Sequence, residues 1–183
     1  MILAIDTSAG QCAVALLDGA RWEVRAEPMT RGHAEALFPM IDAVLAAMDA
    51  KHSDLERVAV CTGPGSFTGL RVGIAAARGL ALGCGIPSVG VTRFEALATA
   101  QGGPCRIALP GRGGTIFVQD FDAQGMPEGE PQILEGEAED LYADPLVLAR
   151  IAAKRSPAGR PAPLYLRDAD AALPREGPPP LLD

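Results

Sequence analysis

The first hundred or so residues open with three short strands and then alternate helix with strand, and this order constrains the fold more than any other feature. MILAID, residues 1–6, is an apolar run that stops at Asp6-Thr7-Ser8, with Gly10 just beyond, so it reads as a buried strand ending in a polar turn. QCAVALL, residues 11–17, is a second strand, Asp18-Gly19 is a hairpin turn signal, and RWEVRAE, residues 21–27, is a third. The period then changes. Leu37, Ile41, Val44, Leu45 and Met48 recur on one face of a helix over 34–49, with Pro39 predicting a late start or a kink. VAVCT (58–62) is a buried strand, a glycine-rich turn leads into a helix over 69–83, SVGVT (88–92) is a further strand, and Phe94–Ala100 begins a third helix. The order β-β-β-α-β-α-β-α predicts an α/β fold with an antiparallel meander and strand–helix alternation.

A weaker echo follows. RIALP (106–110), a Gly-rich turn and TIFVQDF (115–121) repeat the strand–turn–strand opening, and one helical pattern, about 138–154, comes next. The second copy lacks further strand–helix alternation. The expected organisation is a complete first lobe over 1–100, a reduced second lobe over 101–160 and a proline-rich tail over 161–183.

Composition narrows the function. The chain has 183 residues, enough to bury a core, and is 48% hydrophobic, which excludes global disorder. Its formal net charge is −7, and the sequence shows no basic stripe of the kind a stand-alone nucleic-acid binder carries, so tRNA binding by this chain alone is not expected. Cys12, Cys61, Cys84 and Cys105 are widely spaced in apolar contexts and form no C-x-x-C pair, which predicts reduced, buried thiols in a cytoplasmic protein. The N-terminus reads as a strand rather than a signal peptide. The longest apolar stretch, 72–86, carries Arg78 and is too short to span a bilayer, so no membrane association is expected.

The most informative segment is Thr62-Gly63-Pro64-Gly65-Ser66-Phe67-Thr68-Gly69-Leu70-Arg71-Val72-Gly73. It reads as a strand end, a tight turn and a helix start, with Thr68 the expected N-cap. It is not G-x-G-x-x-G, because position 68 is Thr. It lacks the Gly-Lys-Ser/Thr of a Walker A loop, and Pro64 and Thr68 stand where a G-x-S-x-G elbow needs glycines. Spacing alone leaves open a structural turn or an anion site at the helix N-terminus.

The segment GPGSFTGLRVG resembles the signature of the TsaB family, formerly described as glycoprotease-like. The resemblance extends to AIDTS at the start, to the region around His33 leading into LFPMI, and to PLYLR at 163–167. It implies an ASKHA fold (the actin, sugar-kinase and heat-shock ATPase type), with one complete and one reduced lobe here. It also implies a TsaD-type transferase as partner, which places a threonylcarbamoyl group on the tRNA adenosine beside the anticodon, and a TsaE-type ATPase that binds the pair. In the family, first-lobe helices mediate pairing with TsaD, or self-pairing to a homodimer when TsaD is absent; tRNA is then met only through the complex. The chain departs from the family pattern in its compressed region between about 137 and 160, and in the turn Pro110-Gly111-Arg112-Gly113-Gly114, where relatives carry an acidic residue.

Two functional readings follow. In the first, the chain is a non-catalytic partner whose helices present an interface: His33, Leu37 and Ile41 on the first, and Gly69, Leu70, Gly73, Ala76, Ala77 and Leu80 on the second, with Gly73 and Ala77 nearest the partner. In the second, it is an autonomous ATPase or kinase. Asp6, Thr7 and Ser8 occupy the place where superfamily ATPases manage phosphate and magnesium, and Ser66 and Thr68 would add anion contacts; alternatively, Asp6 caps its own turn. Catalytic relatives carry two histidines one helical turn apart, whereas here Leu37 follows His33 at that spacing and His52 is remote. No catalytic residue, metal ligand or cofactor is therefore expected.

Overall fold

The computed structural model describes residues 1–166; most of the proline-rich tail, including Arg167 of the PLYLR segment, lies outside the described residues. The elements are β1 (Ile2–Ala9), β2 (Gln11–Asp18), β3 (Arg21–Pro28), α1 (His33–Ala47), a 3-10 turn (His52–Asp54), β4 (Arg57–Cys61), α2 (Phe67–Cys84), β5 (Ser88–Val91), α3 (Arg93–Gln101), β6 (Cys105–Pro110), β7 (Thr115–Phe121), β8 (Gln132–Glu135) and α4 (Pro145–Lys154). The first five strands form one sheet in the order β3-β2-β1-β4-β5. The meander β1-β2-β3 is antiparallel, and β4 and β5 add in parallel on the other side of β1. α1 runs through Pro39 from a start at His33.

Strand alternation sorts the sheet into two unlike faces. Leu3, Ile5, Val14, Leu16, Val58 and Val60 form one core with α1 and α2. The intervening Ala4, Ala15 and Ala59 face the other way, and with Cys61, Val89 and Val91 they pack against Leu146, Leu148, Ala149 and Ala152 of α4. Alanines in the middle strands bring that helix close to the sheet.

This corrects the sequence reading in two places. The helix expected from about 138 starts at Pro145, where Asp144 caps it through an Oδ1 that accepts from the Leu146 N–H at 2.8 Å. Before it, the chain is irregular and tied down by side chains: buried Arg93 donates to the Leu141 carbonyl and to Asp140, and Gln11 donates to the Ala143 carbonyl. Pro145 has no N–H to give to a preceding turn, so it suits the first helical position and not the interior of a helix begun at 138. α4, assigned by sequence to the lobe over 101–160, packs on the first sheet instead.

The second sheet is the antiparallel meander β6-β7-β8, with β8 an added strand that the sequence did not predict. Phe94 and Ala98 of α3 pack on Ile107, Leu109 and Phe121, and Leu164 and Leu166 of the C-terminal segment join them. No helix among the described residues is long and apolar enough to cross a membrane.

Candidate functional site

The polar end of β1 and the start of α2 meet at closer range than side chains would allow. The Ser66 N–H donates to the Ser8 carbonyl at 2.7 Å, and the Thr7 hydroxyl donates to the Gly69 carbonyl at 2.7 Å. A Cβ on Gly65 would lie 1.9 Å from the Ser8 carbonyl oxygen, and one on Gly69 would lie 2.0 Å from that of Thr7. These glycines are thus required by backbone approach. The N-cap is Ser66, whose Oγ accepts from the Gly69 N–H, rather than Thr68, which lies inside the helix. The helix starts two residues earlier than expected.

Asp6 takes the capping role. Its Oδ1 accepts from the Ser8 N–H at 2.8 Å, closing a local turn, while its Oδ2 is buried without a partner among the described residues. Ser8 accepts from the Cys61 thiol at 3.3 Å. Asp6, Thr7 and Ser8 are all buried, whereas Ser66 and Thr68 are exposed. The five residues therefore do not line one open cleft. Burial, with the charges of Asp6 and Glu27 beside it, pushes the Cys12 thiol up to about 11; burial above all, and then Asp6, raises the Cys61 thiol too. Cys12 and Cys61 are buried as expected, but Cys84 and Cys105 are half-buried, and all four are free thiols.

The residues expected to form one helix face of α2 divide between two. Gly69, Leu70, Gly73 and Ala77 are buried against the chain's own sheet. A Cβ on Gly73 would lie 2.5 Å from the Thr7 hydroxyl, and Ala77 is fully buried in the core with Ile5 and Val60. The expectation that Gly73 and Ala77 meet a partner is thereby corrected: their small size admits β1. Ile41 is likewise in the core, and Leu37 is almost fully buried.

Ala76 and Leu80 lie elsewhere, on an open apolar groove of about 600 Å³ between α1 and α2. α1 contributes Ala34, Leu37 and Phe38; α2 contributes Val72, Ala75, Ala76, Gly79 and Leu80, with Gly83 and Cys84 at the far end. Phe38 is 46% exposed. Of the groove residues, the sequence reading named Leu37, Ala76 and Leu80. It missed Phe38 and the stripe Val72-Ala75-Gly79-Gly83, whose three-and-four spacing was the signal available.

His33 is buried at the start of α1 with its Nε2 unpartnered among the described residues, and His52 Nε2 lies 3.8 Å from Asp42 Oδ1. Among the described residues, no group of three His, Cys, Asp or Glu side chains is placed to hold a metal ion.

Comparison with known proteins places this architecture. Residues 24–125 match the family described as TsaD, tRNA N6-adenosine threonylcarbamoyltransferase. The tRNA threonylcarbamoyladenosine biosynthesis protein TsaB of Escherichia coli K12 is 30% identical over 187 residues, covering 94% of this chain and 81% of that protein. The TsaB of Haemophilus influenzae is 40% identical over 100 residues, covering 54% of this chain and 42% of that one. The solved structure of YeaZ from Pseudomonas aeruginosa superposes with a TM-score of 0.79 at 25% identity, covering 90% of this chain and 99% of that one. The fold is of the ASKHA type, and the chain belongs to the TsaB family of tRNA threonylcarbamoyladenosine biosynthesis proteins.

Proposed function

We propose that the chain is a non-catalytic partner and activator of a TsaD-type transferase in threonylcarbamoyl modification of the tRNA adenosine beside the anticodon. The single observation that carries this reading is the open apolar groove between α1 and α2. A groove lined by Ala, Gly, Val and Leu, with Phe38 exposed at its side, leaves apolar area in water that a second pair of helices would cover. The same surface would serve for self-pairing to a homodimer when the transferase is absent. A TsaE-type ATPase would then meet the assembled pair, and tRNA would be met through the complex, in keeping with a formal net charge of −7.

The rival reading is an autonomous ATPase centred on Asp6. Against it stand the burial of Asp6, Thr7 and Ser8 and the use of Asp6 Oδ1 to cap its own turn. The test is reconstitution. Adding the chain to purified TsaD-type transferase with threonylcarbamoyl donor and tRNA should raise modification well above that of the transferase alone. The chain alone should neither modify tRNA nor turn over ATP. Steady ATP turnover by the chain, abolished in Asp6→Ala, with no effect on the transferase, would reverse the assignment.

A further inference from the structure

A cluster at the N-terminal end of the groove holds one cation in a fixed orientation on the surface. The guanidinium of Arg71 lies over the Phe67 ring, 3.8 Å from its centroid. Its Nε donates to the Tyr165 hydroxyl at 3.2 Å. The Tyr165 and Phe67 rings are 5.3 Å apart between centroids, so each of the three side chains is held by the other two. Yet all three are exposed, and no carboxylate among the described residues pairs with Arg71.

A guanidinium held by its face and by Nε still has two terminal nitrogens, and neither has a hydrogen-bond partner among the described residues. That fork matches a carboxylate bidentately, and its orientation costs little further side-chain entropy on binding. Arg71 also stands next to Val72, the first groove residue on α2, and one turn before Ala75. The charge therefore sits where the apolar groove ends. A charge at the edge of an interface acts chiefly on register, on the rate of association and on its salt dependence.

We propose that Arg71, positioned by Phe67 and Tyr165, receives a carboxylate from the partner protein that covers the groove, and so fixes the register of the two helix pairs. The inference rests on the pairing reading above and names the chemistry at its edge. Tyr165 belongs to the C-terminal segment, whose Leu164 N–H donates to the Thr62 carbonyl at 2.8 Å and whose Pro161 carbonyl accepts from Arg78. Docking is thereby tied to that segment being in place.

The test measures affinity for purified TsaD-type transferase between about 0.05 and 0.5 M salt, with circular dichroism on the same samples. Arg71→Gln should weaken binding about tenfold at low salt and flatten the salt dependence. Arg71→Lys keeps the charge but not the fork or the stack, and should fall between. Tyr165→Phe keeps the ring contact, loses the anchor on Nε, and should weaken binding by about threefold. Leu80→Glu serves as the groove control. If Leu80→Glu abolishes binding while Arg71→Gln binds as wild type with the same salt slope, the groove reading stands and the Arg71 proposal is overturned. If Leu80→Glu and Arg71→Gln both bind as wild type, the pairing surface itself is wrong. ADP binding to the free chain that Arg71→Gln abolishes, with partner affinity unchanged, would reassign the cluster to nucleotide and likewise overturn the proposal.

Discussion

The two long faces of α2 carry the same kinds of residue for opposite reasons. The inner face has Gly69, Gly73 and Ala77, and the outer face has Ala75, Ala76, Gly79 and Gly83. On the inner face, smallness is used up within the chain: the Thr7 carbonyl and hydroxyl fill the space where a Cβ on Gly69 or Gly73 would sit. On the outer face, the space beside Gly79 and Gly83 is open. Small residues on a helix report close approach by something. Only the sheet position says whether that something is the same chain.

Substitution separates the two faces most sharply at glycine. Gly69→Ala would place a methyl group 2.0 Å from the Thr7 carbonyl oxygen, so backbone must move. It should cost at least about 3 kcal/mol of stability or prevent folding. Gly79→Ala meets nothing within 4 Å and should stabilise the helix by about 0.5–1 kcal/mol. Urea unfolding of the two variants beside the wild type checks both signs. Equal and small effects would show that β1 and α2 are not in contact as described.

Thiol chemistry gives a gentler contrast. Cys84 lies half-buried at the end of the outer groove, while Cys12 and Cys61 are sealed in the core on either face of the sheet. At pH 8, alkylation of the folded chain should label Cys84 and Cys105 and spare Cys12 and Cys61, as read by mass spectrometry. Because folding raises the Cys12 thiol from 9.0 to about 11, its contribution to stability is fully present below pH 9 and is lost as pH rises towards 11. Rapid labelling of Cys61 at neutral pH would contradict its burial.

The sequence made much of the first sheet legible because period is a local property. The runs at 1–6, 11–17 and 21–27 fall in β1, β2 and β3, but β1 continues to Ala9 through the expected polar turn at Asp6-Thr7-Ser8, and the hairpin turn is Gly19-Ala20, one residue beyond the Asp18-Gly19 signal. β8 escaped because QILE is four residues long and exposed throughout, so no burial pattern marks it. α4 was placed in the wrong layer, since its amphipathic pattern shows that one side is buried but not against which sheet. The cap of α2 was misassigned from Thr68 to Ser66 for a related reason. Ser66 and Thr68 are both good capping residues, and the close approach of Ser8, far away in sequence, selects the earlier start. The residues read from the sequence as one partner-facing surface divide between the groove and the core. Ala76 and Leu80 lie on the open groove, whereas Gly69, Gly73 and Ala77 were drawn in with them because α2 is apolar on more than one side. Asp6 as a turn cap was among the alternatives the residues allowed, and its Oδ1 does accept from the Ser8 N–H.

The central claim is that the outer face of α2 docks a TsaD-type transferase, and one pair of variants tests it directly. Leu80→Glu and Ala77→Glu are to be compared for folding by circular dichroism and for transferase affinity by calorimetry. Leu80 is only partly buried and lines the open groove, so its carboxylate can reach water in the free chain. Leu80→Glu should stay folded and lose about 2–5 kcal/mol of binding, because complex formation would bury an unpaired charge. Ala77→Glu, with no water to reach, should fail to fold. A folded Leu80→Glu variant that binds the transferase as tightly as the wild type would contradict the account.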